Sequence, residues 1–176
     1  RWRPLGRPWS FSNATTPTLI TSSSVSLPKF KQVSAGTDYA LALDTNDRLW
    51  GWGDGSGGRI GEGPCSKYST EGCNPDVYEL GSAEDIDEPT KSVSTKTFKA
   101  VYAGNRFSIG LGTEDALHHW GYKPIPPDDT YDPVAVLLPK AWGSPATTGL
   151  NWESAAVGRN HAVMLQRTGD VKVFGE

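Results

Sequence analysis

Residues Phe30–Gly53 read FKQVSAGTDYALALDTNDRLWGWG, and the pattern returns without a gap at Phe98–Gly121 and Trp152–Gly175. Each copy opens on an aromatic residue, carries a glycine six residues later, and closes on an aliphatic residue, an aromatic residue and a glycine. A pattern that returns in this way is the signature of a repeat protein, whose units stack on one another to bury a shared core. The sequence therefore predicts three related structural units.

Alternation of residue size predicts that the copies form β-strands. In the first copy Tyr39, Leu41 and Leu43 fall on one face of a strand, while Ala40 and Ala42 fall on the other. Large residues on one face and small residues on the other suit a strand that is covered on both sides. Polar residues that favour tight turns follow in each copy, at residues 46–47, 114–115 and 168–170. Each copy is therefore predicted to contain a strand, a glycine bend and a β-hairpin.

Three motifs in and just after the first copy resemble a known repeat: Val33–Leu43, Leu49–Gly53 and Gly58–Gly63, the last of which reads GRIGEG. They are similar to the repeat of the regulator of chromosome condensation family. The resemblance covers nearly the whole chain, as about three repeats, and it implies a β-propeller of four-stranded antiparallel blades around an axis. The second and third copies are eroded, because His118–Gly121 and Val173–Gly175 replace the tryptophan-glycine signature.

The repeats divide the chain, which we expect to be a single all-β propeller segment over residues 1–176. The predicted parts are the back half of a blade at 1–29, whole repeats at 30–97 and 98–151, and the front half of a blade at 152–176. Proline-led outer strands are predicted at 16–20 and 133–136. About three blades are fewer than the roughly four to eight of a closed propeller. Because unpaired sheet edges are seldom tolerated, we expect an incomplete arc that further chain, another copy or a partner completes.

Composition narrows the classes of partner. The formal net charge is −3, from 17 basic and 20 acidic side chains, which argues against nucleic acid as a main partner because phosphate binding needs a clustered positive surface. No apolar run approaches the roughly 20 residues of a membrane span. The chain has 20 glycines and 13 prolines, so loops are expected rather than long helices.

The longest insertion between copies holds both cysteines, Cys65 and Cys73, in a polar stretch. A disulfide that closes this short loop is the favoured interpretation and would place the protein in an oxidising compartment. Together with the acidic balance and the threonine- and serine-rich connectors, the two cysteines favour an extracellular or virion-surface location among the uses that the family resemblance implies. Two free thiols are the alternative, and a zinc site is disfavoured because zinc takes four ligands and no histidine lies nearby in the sequence. Residues 84–88 and 128–132 are acidic and are predicted to be solvated loops rather than calcium sites.

The sequence contains no recognisable catalytic motif. The histidines His118, His119 and His161 all fall inside repeat copies, where their positions predict packing. We therefore expect no catalytic residue, metal or cofactor, and a non-enzymatic scaffold for protein-protein, receptor or glycan interaction. The family resemblance widens the uses to nucleotide exchange on small GTPases, inhibition of secreted enzymes, and structural or receptor-contacting parts of cell surfaces and virus particles. A glycan-acting hydrolase and a nucleotide exchange factor are the alternatives.

Two groups of residues are predicted to contact a partner. Aromatic residues in loops form the first group, because exposed aromatic side chains often dominate binding energy at interfaces. They are Tyr68, Tyr78, Tyr122, Tyr131 and Trp142. The second group occupies equivalent bends after the repeat glycine and consists of Asp38, Arg106 and Asn160.

A set of apolar residues in the three copies is also predicted to be buried. They are Phe30, Val33, Leu41, Leu43, Trp52, Phe98, Val101, Ile109, Leu111, Trp120, Trp152, Val163, Leu165 and Phe174.

Overall fold

The structure is a computed structural model and describes residues 19–20, 26–54, 59–60, 86–91, 97–122, 131–137 and 151–175. These residues form eleven strands in three antiparallel sheets. Sheet 1 contains β1 (Phe30–Ala35), β2 (Tyr39–Asp44), β3 (Leu49–Gly53) and β4 (Ile86–Lys91). Sheet 2 contains β5 (Phe98–Ala103), β6 (Phe107–Gly112), β7 (Leu117–Tyr122) and β8 (Tyr131–Leu137). Sheet 3 contains β9 (Trp152–Val157), β10 (His161–Gln166) and β11 (Val171–Gly175).

Consecutive strands are neighbours in every sheet, so each copy of the sequence pattern is a β-meander. The polar turn residues predicted between the second and third strands are confirmed, and they adopt left-handed backbone. Asp47 has φ 66°, Asp115 has φ 64° and Gly169 has φ 90°. Aspartate tolerates this region better than most residues and glycine has no steric penalty there, which explains why these types occupy the turns.

The hydrophobic core lies between the sheets rather than within one sheet. Between sheets 1 and 2 it consists of Tyr39, Leu41, Leu43, Leu49, Ile60, Phe98, Val101 and Trp120. Between sheets 2 and 3 it consists of Phe107, Ile109, Leu111, Leu117, Trp152, Ala162 and Met164. The small-residue face of sheet 1 packs separately: Ala40, Ala42, Trp50 and Trp52 lie against Ile20, Leu27 and Phe30. The predicted two-sided burial of the strand 39–44 is therefore confirmed.

The first strands of the sheets lie side by side, β1 against β5 and β5 against β9. As the first strand of each sheet is an edge strand, its outer backbone groups need partners. For β5, side chains of β1 supply them. Gln32 bonds to both the N–H and the carbonyl of Val101, at 3.0 and 2.9 Å, and Ser34 accepts the Ala103 N–H at 2.9 Å. The first strands therefore take part in the contacts between successive sheets.

Most of the predicted core residues are buried. The confirmed ones are Leu41, Leu43, Trp52, Phe98, Val101, Ile109, Leu111, Trp120 and Trp152. Phe30 and Leu165 are partly buried, and the side chain of Phe174 lies outside the described part of the chain. The prediction was wrong for Val33, which is 70% exposed, and for Val163, which is 36% exposed. Both lie on the outward faces of the two end sheets, where no neighbouring sheet covers them as Val101 and Ile109 are covered.

Two stretches predicted as acidic loops are partly strand. Ile86–Lys91 is the fourth strand of sheet 1 and includes Asp87 and Glu88, and Tyr131–Leu137 is the fourth strand of sheet 2 and includes Asp132. The outer strand predicted at 133–136 is confirmed within β8. Both outer strands contain a proline, which an edge strand tolerates because one side of its backbone needs no ladder partner.

Several predictions lie wholly or mainly outside the described residues. These are the disulfide between Cys65 and Cys73, the blade half at 1–29, and the proline-led strand at 16–20, of which Leu19 and Ile20 are described and not in a strand. Among the described residues, no helix is long and apolar enough to cross a membrane.

Candidate functional site

Three equivalent bends join the first and second strands of the sheets, at residues 36–38, 104–106 and 158–160. In each bend the glycine N–H donates to the carbonyl of the residue three positions later. The distances are 2.9 Å from Gly36 to Tyr39, 3.1 Å from Gly104 to Phe107, and 2.8 Å from Gly158 to His161. Since all three sheets have the same strand order, the bends lie at the same end of the arc.

The bends are also hydrogen-bonded to one another. The Thr37 N–H donates to the Gly104 carbonyl, and the Asn105 N–H donates to the Gly158 carbonyl, both at 3.3 Å. The Asn105 amide nitrogen donates to the Thr37 hydroxyl at 2.9 Å. Together these contacts make residues 36–38, 104–106 and 158–160 one continuous surface, which we call the bend ridge. Its side chains are held at fixed spacings by the backbone beneath them.

The structure brings together the second predicted group of contact residues. Asp38, Arg106 and Asn160 all lie on the bend ridge, where Arg106 is exposed and the other two are partly exposed. The Asp38 carbonyl also accepts the Asp54 N–H at 2.8 Å, which ties the first bend to the end of β3. The surface thus presents a carboxylate, a guanidinium and an amide from three successive sheets.

Tyr39 supports the bend ridge from below. Its hydroxyl lies 2.9 Å from the Phe107 carbonyl oxygen and 2.8 Å from Ser108 Oγ, and it accepts the Gly104 N–H at 3.0 Å. Burial raises the pKa of Tyr39 to about 12, against the opposing effects of its hydrogen bonds with Ser108 and with the Gly104 backbone and of the Arg59 charge. The side chain therefore stays neutral and links sheet 1 to the second bend.

Arg59 and Ile60 fill the space between sheets 1 and 2, beneath the bend ridge. Arg59 pairs with Asp54 at 3.2 Å, donates to the Asn105 carbonyl at 3.1 Å, and its guanidinium carbon lies 5.9 Å from the centre of the Tyr39 ring. Ile60 packs against Gly51, where a β-carbon would collide with the Ile60 side chain. The glycine at this position is required by that close approach.

Sequence reasoning missed the supporting roles of Tyr39, Arg59 and Ser108. Tyr39 was expected only to pack, and Arg59 was part of a motif to which no role was assigned. Ser108 donates to the Arg59 carbonyl at 2.8 Å from a fully buried position in β6. A serine inside a hydrophobic strand was the available signal, because buried hydroxyl groups are almost always hydrogen-bonded.

Most of the first predicted contact group lies outside the described part of the chain. Tyr122 and Tyr131 were predicted to lie in loops, but they are paired opposite one another in β7 and β8. Tyr68, Tyr78 and Trp142 lie outside the described residues. For these five aromatic residues, partner contact stays a prediction.

The bend ridge carries polar side chains that can hydrogen-bond to a partner. Within its described residues Asp38 is the single carboxylate, whereas glycoside hydrolysis commonly uses two. Among the described residues no group of three or more His, Cys, Asp or Glu side chains could hold a metal ion. Exposed guanidinium and amide groups on a rigid backbone can instead make directed hydrogen bonds to a partner.

Comparison with known proteins identifies the repeat. The model of the Regulator of chromosome condensation (RCC1) repeat matches residues 30–59. Protein pim1 of Schizosaccharomyces pombe is 23% identical over 85% of this chain, and the guanine nucleotide exchange factor SRM1 of Saccharomyces cerevisiae is 22% identical over 82%. The chain spans 25% of the length of pim1 and 27% of the length of SRM1.

Solved structures share the fold. Human WBSCR16 superposes with a TM-score of 0.62 at 18% identity, over 83% of this chain and 34% of that protein. Prp20p from Saccharomyces cerevisiae superposes with a TM-score of 0.57 at 18% identity, over 86% of this chain and 33% of that protein. The repeat match, the strand order and these superpositions agree. The described part of this chain is accordingly an incomplete β-propeller, of which residues 30–59 match the repeat of the regulator of chromosome condensation family.

Proposed function

We propose that the chain is a non-enzymatic scaffold that binds a partner protein through the bend ridge. The observation that carries the proposal is the row of hydrogen bonds from Thr37 to Gly104 and from Asn105 to Gly158, which fixes three successive bends relative to one another. A surface organised before binding loses less conformational freedom when a partner docks. The rigid core beneath it and the polar side chains on it are typical of a binding site carried by a stable scaffold.

The relatives support a protein partner. The structure of Prp20p is described together with binding to Gsp1p and histones, and another structure shows yeast Prp20 bound to Kap60. The net charge of −3 is compatible with a basic partner such as a histone. Charge complementarity of this kind raises the association rate and contributes to specificity.

Binding to purified Gsp1p and to histones, measured by biolayer interferometry, tests the proposal. We expect at least one of the two to bind, and we expect Arg106→Ala and Asn160→Ala to weaken that binding about tenfold, which corresponds to about 1.4 kcal/mol. Arg48→Ala is the matched control, because Arg48 is an exposed arginine in the turn at the opposite end of sheet 1. Unchanged affinity in both bend-ridge variants would exclude the ridge as the binding surface, and no binding of either protein would reject this class of partner.

Nucleotide exchange on a small GTPase is the second candidate, favoured by the similarity to SRM1. Release of fluorescent GDP from a small GTPase, followed with and without the chain, measures it directly. Acceleration by the chain would establish exchange activity. Binding of the GTPase without faster GDP release would support the scaffold function and reject exchange activity.

The extracellular or virion-surface localisation and a receptor or glycan partner stay predictions that depend mainly on a bond between Cys65 and Cys73. The intact mass of the native protein, measured with and without reductant after alkylation, reveals whether the two thiols are bonded. Two alkylated thiols in the unreduced protein would remove the argument for an oxidising compartment.

A further inference from the structure

Arg59 reaches the bend ridge from a buried position. Its side chain is 11% exposed, and that of its ion-pair partner Asp54 is 3% exposed. The Arg59 carbonyl accepts the Ser108 hydroxyl at 2.8 Å, which holds the backbone of Arg59 against β6. The same guanidinium nitrogen, Nη1, pairs with Asp54 at 3.2 Å and donates to the Asn105 carbonyl at 3.1 Å. Arg59 is therefore held at its backbone and at its head group, and it directs a charged donor at one carbonyl of the second bend.

The Asn105 carbonyl belongs to the peptide unit that precedes Arg106. Because a peptide unit is planar, a bond to this carbonyl also orients the Arg106 N–H and restrains the direction in which the Arg106 side chain leaves the backbone. Other bonds of the second bend act on earlier peptide units, through the Gly104 N–H, the Gly104 carbonyl and the Asn105 N–H. Arg59 thus acts directly on the unit next to the exposed side chain of Arg106.

Asp54 connects this contact to the first bend. Its N–H donates to the Asp38 carbonyl at 2.8 Å, while its carboxylate pairs with Arg59. A hydrogen bond from a charged donor is stronger than one between neutral groups, and burial strengthens it further by excluding water. Asp54 therefore holds the first bend through its backbone and the second bend through the side chain of Arg59.

We propose that Arg59 is a positioning residue that fixes the orientation of Arg106 on the bend ridge and thereby, given the proposed binding function on which this inference rests, strengthens binding of the partner protein. A side chain that is oriented before docking loses less conformational freedom when the partner binds. The exposed arginine that a partner meets is thus positioned by a second, buried arginine.

Arg59→Lys tests the positioning in the full chain. Lysine keeps the positive charge beside Asp54, but its side chain is one bond shorter, so the ammonium group cannot contact both Asp54 and the Asn105 carbonyl from the same backbone position. We expect the order parameter of the Arg106 N–H, measured by ¹⁵N relaxation, to fall from about 0.85, typical of rigid backbone, to below about 0.6. The Arg159 N–H in the third bend is the internal reference and is expected to keep its value.

Leu49→Val is the matched control for general stability. Leu49 is buried in the core between sheets 1 and 2 but lies at the turn end of sheet 1, away from the bends. A shorter side chain there is expected to lower the midpoint of thermal unfolding through loss of packing, while leaving the order parameter of the Arg106 N–H unchanged. A change that only weakens the interface is thereby distinguished from one that releases the second bend.

Affinity for Gsp1p or histones, whichever binds, gives the second measurement. We expect Arg59→Lys to weaken binding about three- to tenfold, and to cause no further loss in a chain that already carries Arg106→Ala, because the positioned side chain is then absent. An unchanged order parameter of Arg106 in Arg59→Lys would overturn the proposal, as would an equal loss of affinity with and without the Arg106 side chain. A lowered order parameter in Arg59→Lys, with no effect of Arg106→Ala on affinity, would instead reject the proposed binding surface and uphold the positioning of Arg106.

Discussion

The first and second repeats place the same pair of aromatic rings in the same geometry with different residues. In the first repeat the rings of Phe30 and Trp50 are 5.9 Å apart at 81°, and in the second those of Phe98 and His118 are 5.9 Å apart at 85°. Edge-to-face packing is therefore preserved although the tryptophan of the signature has been replaced. At this position the two repeats differ in residue type, but the edge-to-face packing against the opening phenylalanine is the same.

The carboxylate that contacts the nitrogen of this ring comes from different sequence positions in the two repeats. The indole nitrogen of Trp50 donates to Asp44 Oδ2 at 3.1 Å. In the second repeat Gly112 stands where Asp44 would be, and the ring nitrogen Nε2 of His118 instead contacts Glu114 Oε1. A β-carbon on Gly112 would collide with the Glu114 carboxylate. The two repeats thus keep a ring nitrogen beside a carboxylate through two coordinated replacements.

The interfaces between successive sheets differ more than the ring pairs do. The interface between sheets 1 and 2 contains the hydroxyl of Tyr39, with Ile60 packed against Gly51, whereas the positions equivalent to Tyr39 and Gly51 in sheet 2 are Phe107 and His119. The second interface therefore lacks the buried tyrosine hydroxyl, and a larger residue stands at the glycine position. The comparison shows that Tyr39 and Gly51 organise one interface, while the other interface forms without a tyrosine or a glycine at the equivalent positions.

The largest expected effect is loss of the opening aromatic side chain at either interface. Phe98→Ala and Trp152→Ala are each expected to lower the free energy of unfolding by about 3–5 kcal/mol, because both side chains are buried and truncation leaves a cavity. Urea unfolding measures the change. Val33→Ala is the control, expected to stay within about 0.5 kcal/mol as the side chain is exposed. A loss below about 1 kcal/mol at either aromatic position would contradict the assignment of the shared core.

Removal of one tyrosine hydroxyl at each interface tests whether the two interfaces differ in stability. Tyr39→Phe is expected to cost about 1–3 kcal/mol, since it removes a buried hydroxyl that contacts the Gly104 N–H, the Phe107 carbonyl and Ser108 Oγ. The Gly104 N–H keeps its bond to the Phe107 carbonyl. Tyr102→Phe is the matched change at the second interface, where the partly exposed hydroxyl is hydrogen-bonded to the backbone of Ala155, and it should cost about 0.5–1.5 kcal/mol. Equal losses in the two variants, measured by urea unfolding, would show that the first interface is not held more strongly by its buried hydroxyl.

The smallest expected change in stability concerns the carboxylates of Asp44 and Glu114. Burial by itself would raise the pKa of Asp44, but hydrogen bonds from the Arg48 N–H, the Trp50 ring and the Asn46 N–H, with the Arg48 charge, lower it below its ordinary value. A lowered folded-state pKa stabilises the protein above the unfolded-state pKa of about 3.9, and this contribution is lost as the pH falls through the folded-state value.

Asp44→Asn is accordingly expected to cost about 1 kcal/mol at pH 7, the difference between charged and neutral hydrogen bonds, and much less at pH 2.5. Glu114→Gln, at the half-exposed carboxylate of the second repeat, is expected to cost less than about 1 kcal/mol. Unfolding midpoints at the two pH values measure both. A cost of Asp44→Asn that does not shrink in acid would mean that the charge is not responsible.

Much of the fold could be predicted because it depends on local periodicity. The alternation of Tyr39, Leu41 and Leu43 with small residues predicted a strand buried on both faces, and that prediction is confirmed. The bends that carry Asp38, Arg106 and Asn160 followed from the ungapped alignment of the copies. The outer strands were predicted less well. The strand at 133–136 was predicted, but Ile86–Lys91 and the start of Tyr131–Leu137 lie in acidic stretches that were predicted to be loops.

The sequence by itself determined the strands, the turns, the repeat and the equivalence of its three copies, since these depend on residues close together in the chain. Only the tertiary structure decided which equivalent residues are covered. Ile109 and Val163 occupy the same position in two copies, yet one is fully buried and the other is 36% exposed. Burial depends on the presence of a neighbouring sheet, and so do the bonds that join the bends, because both require groups that lie about fifty to seventy residues apart in the sequence to meet in space.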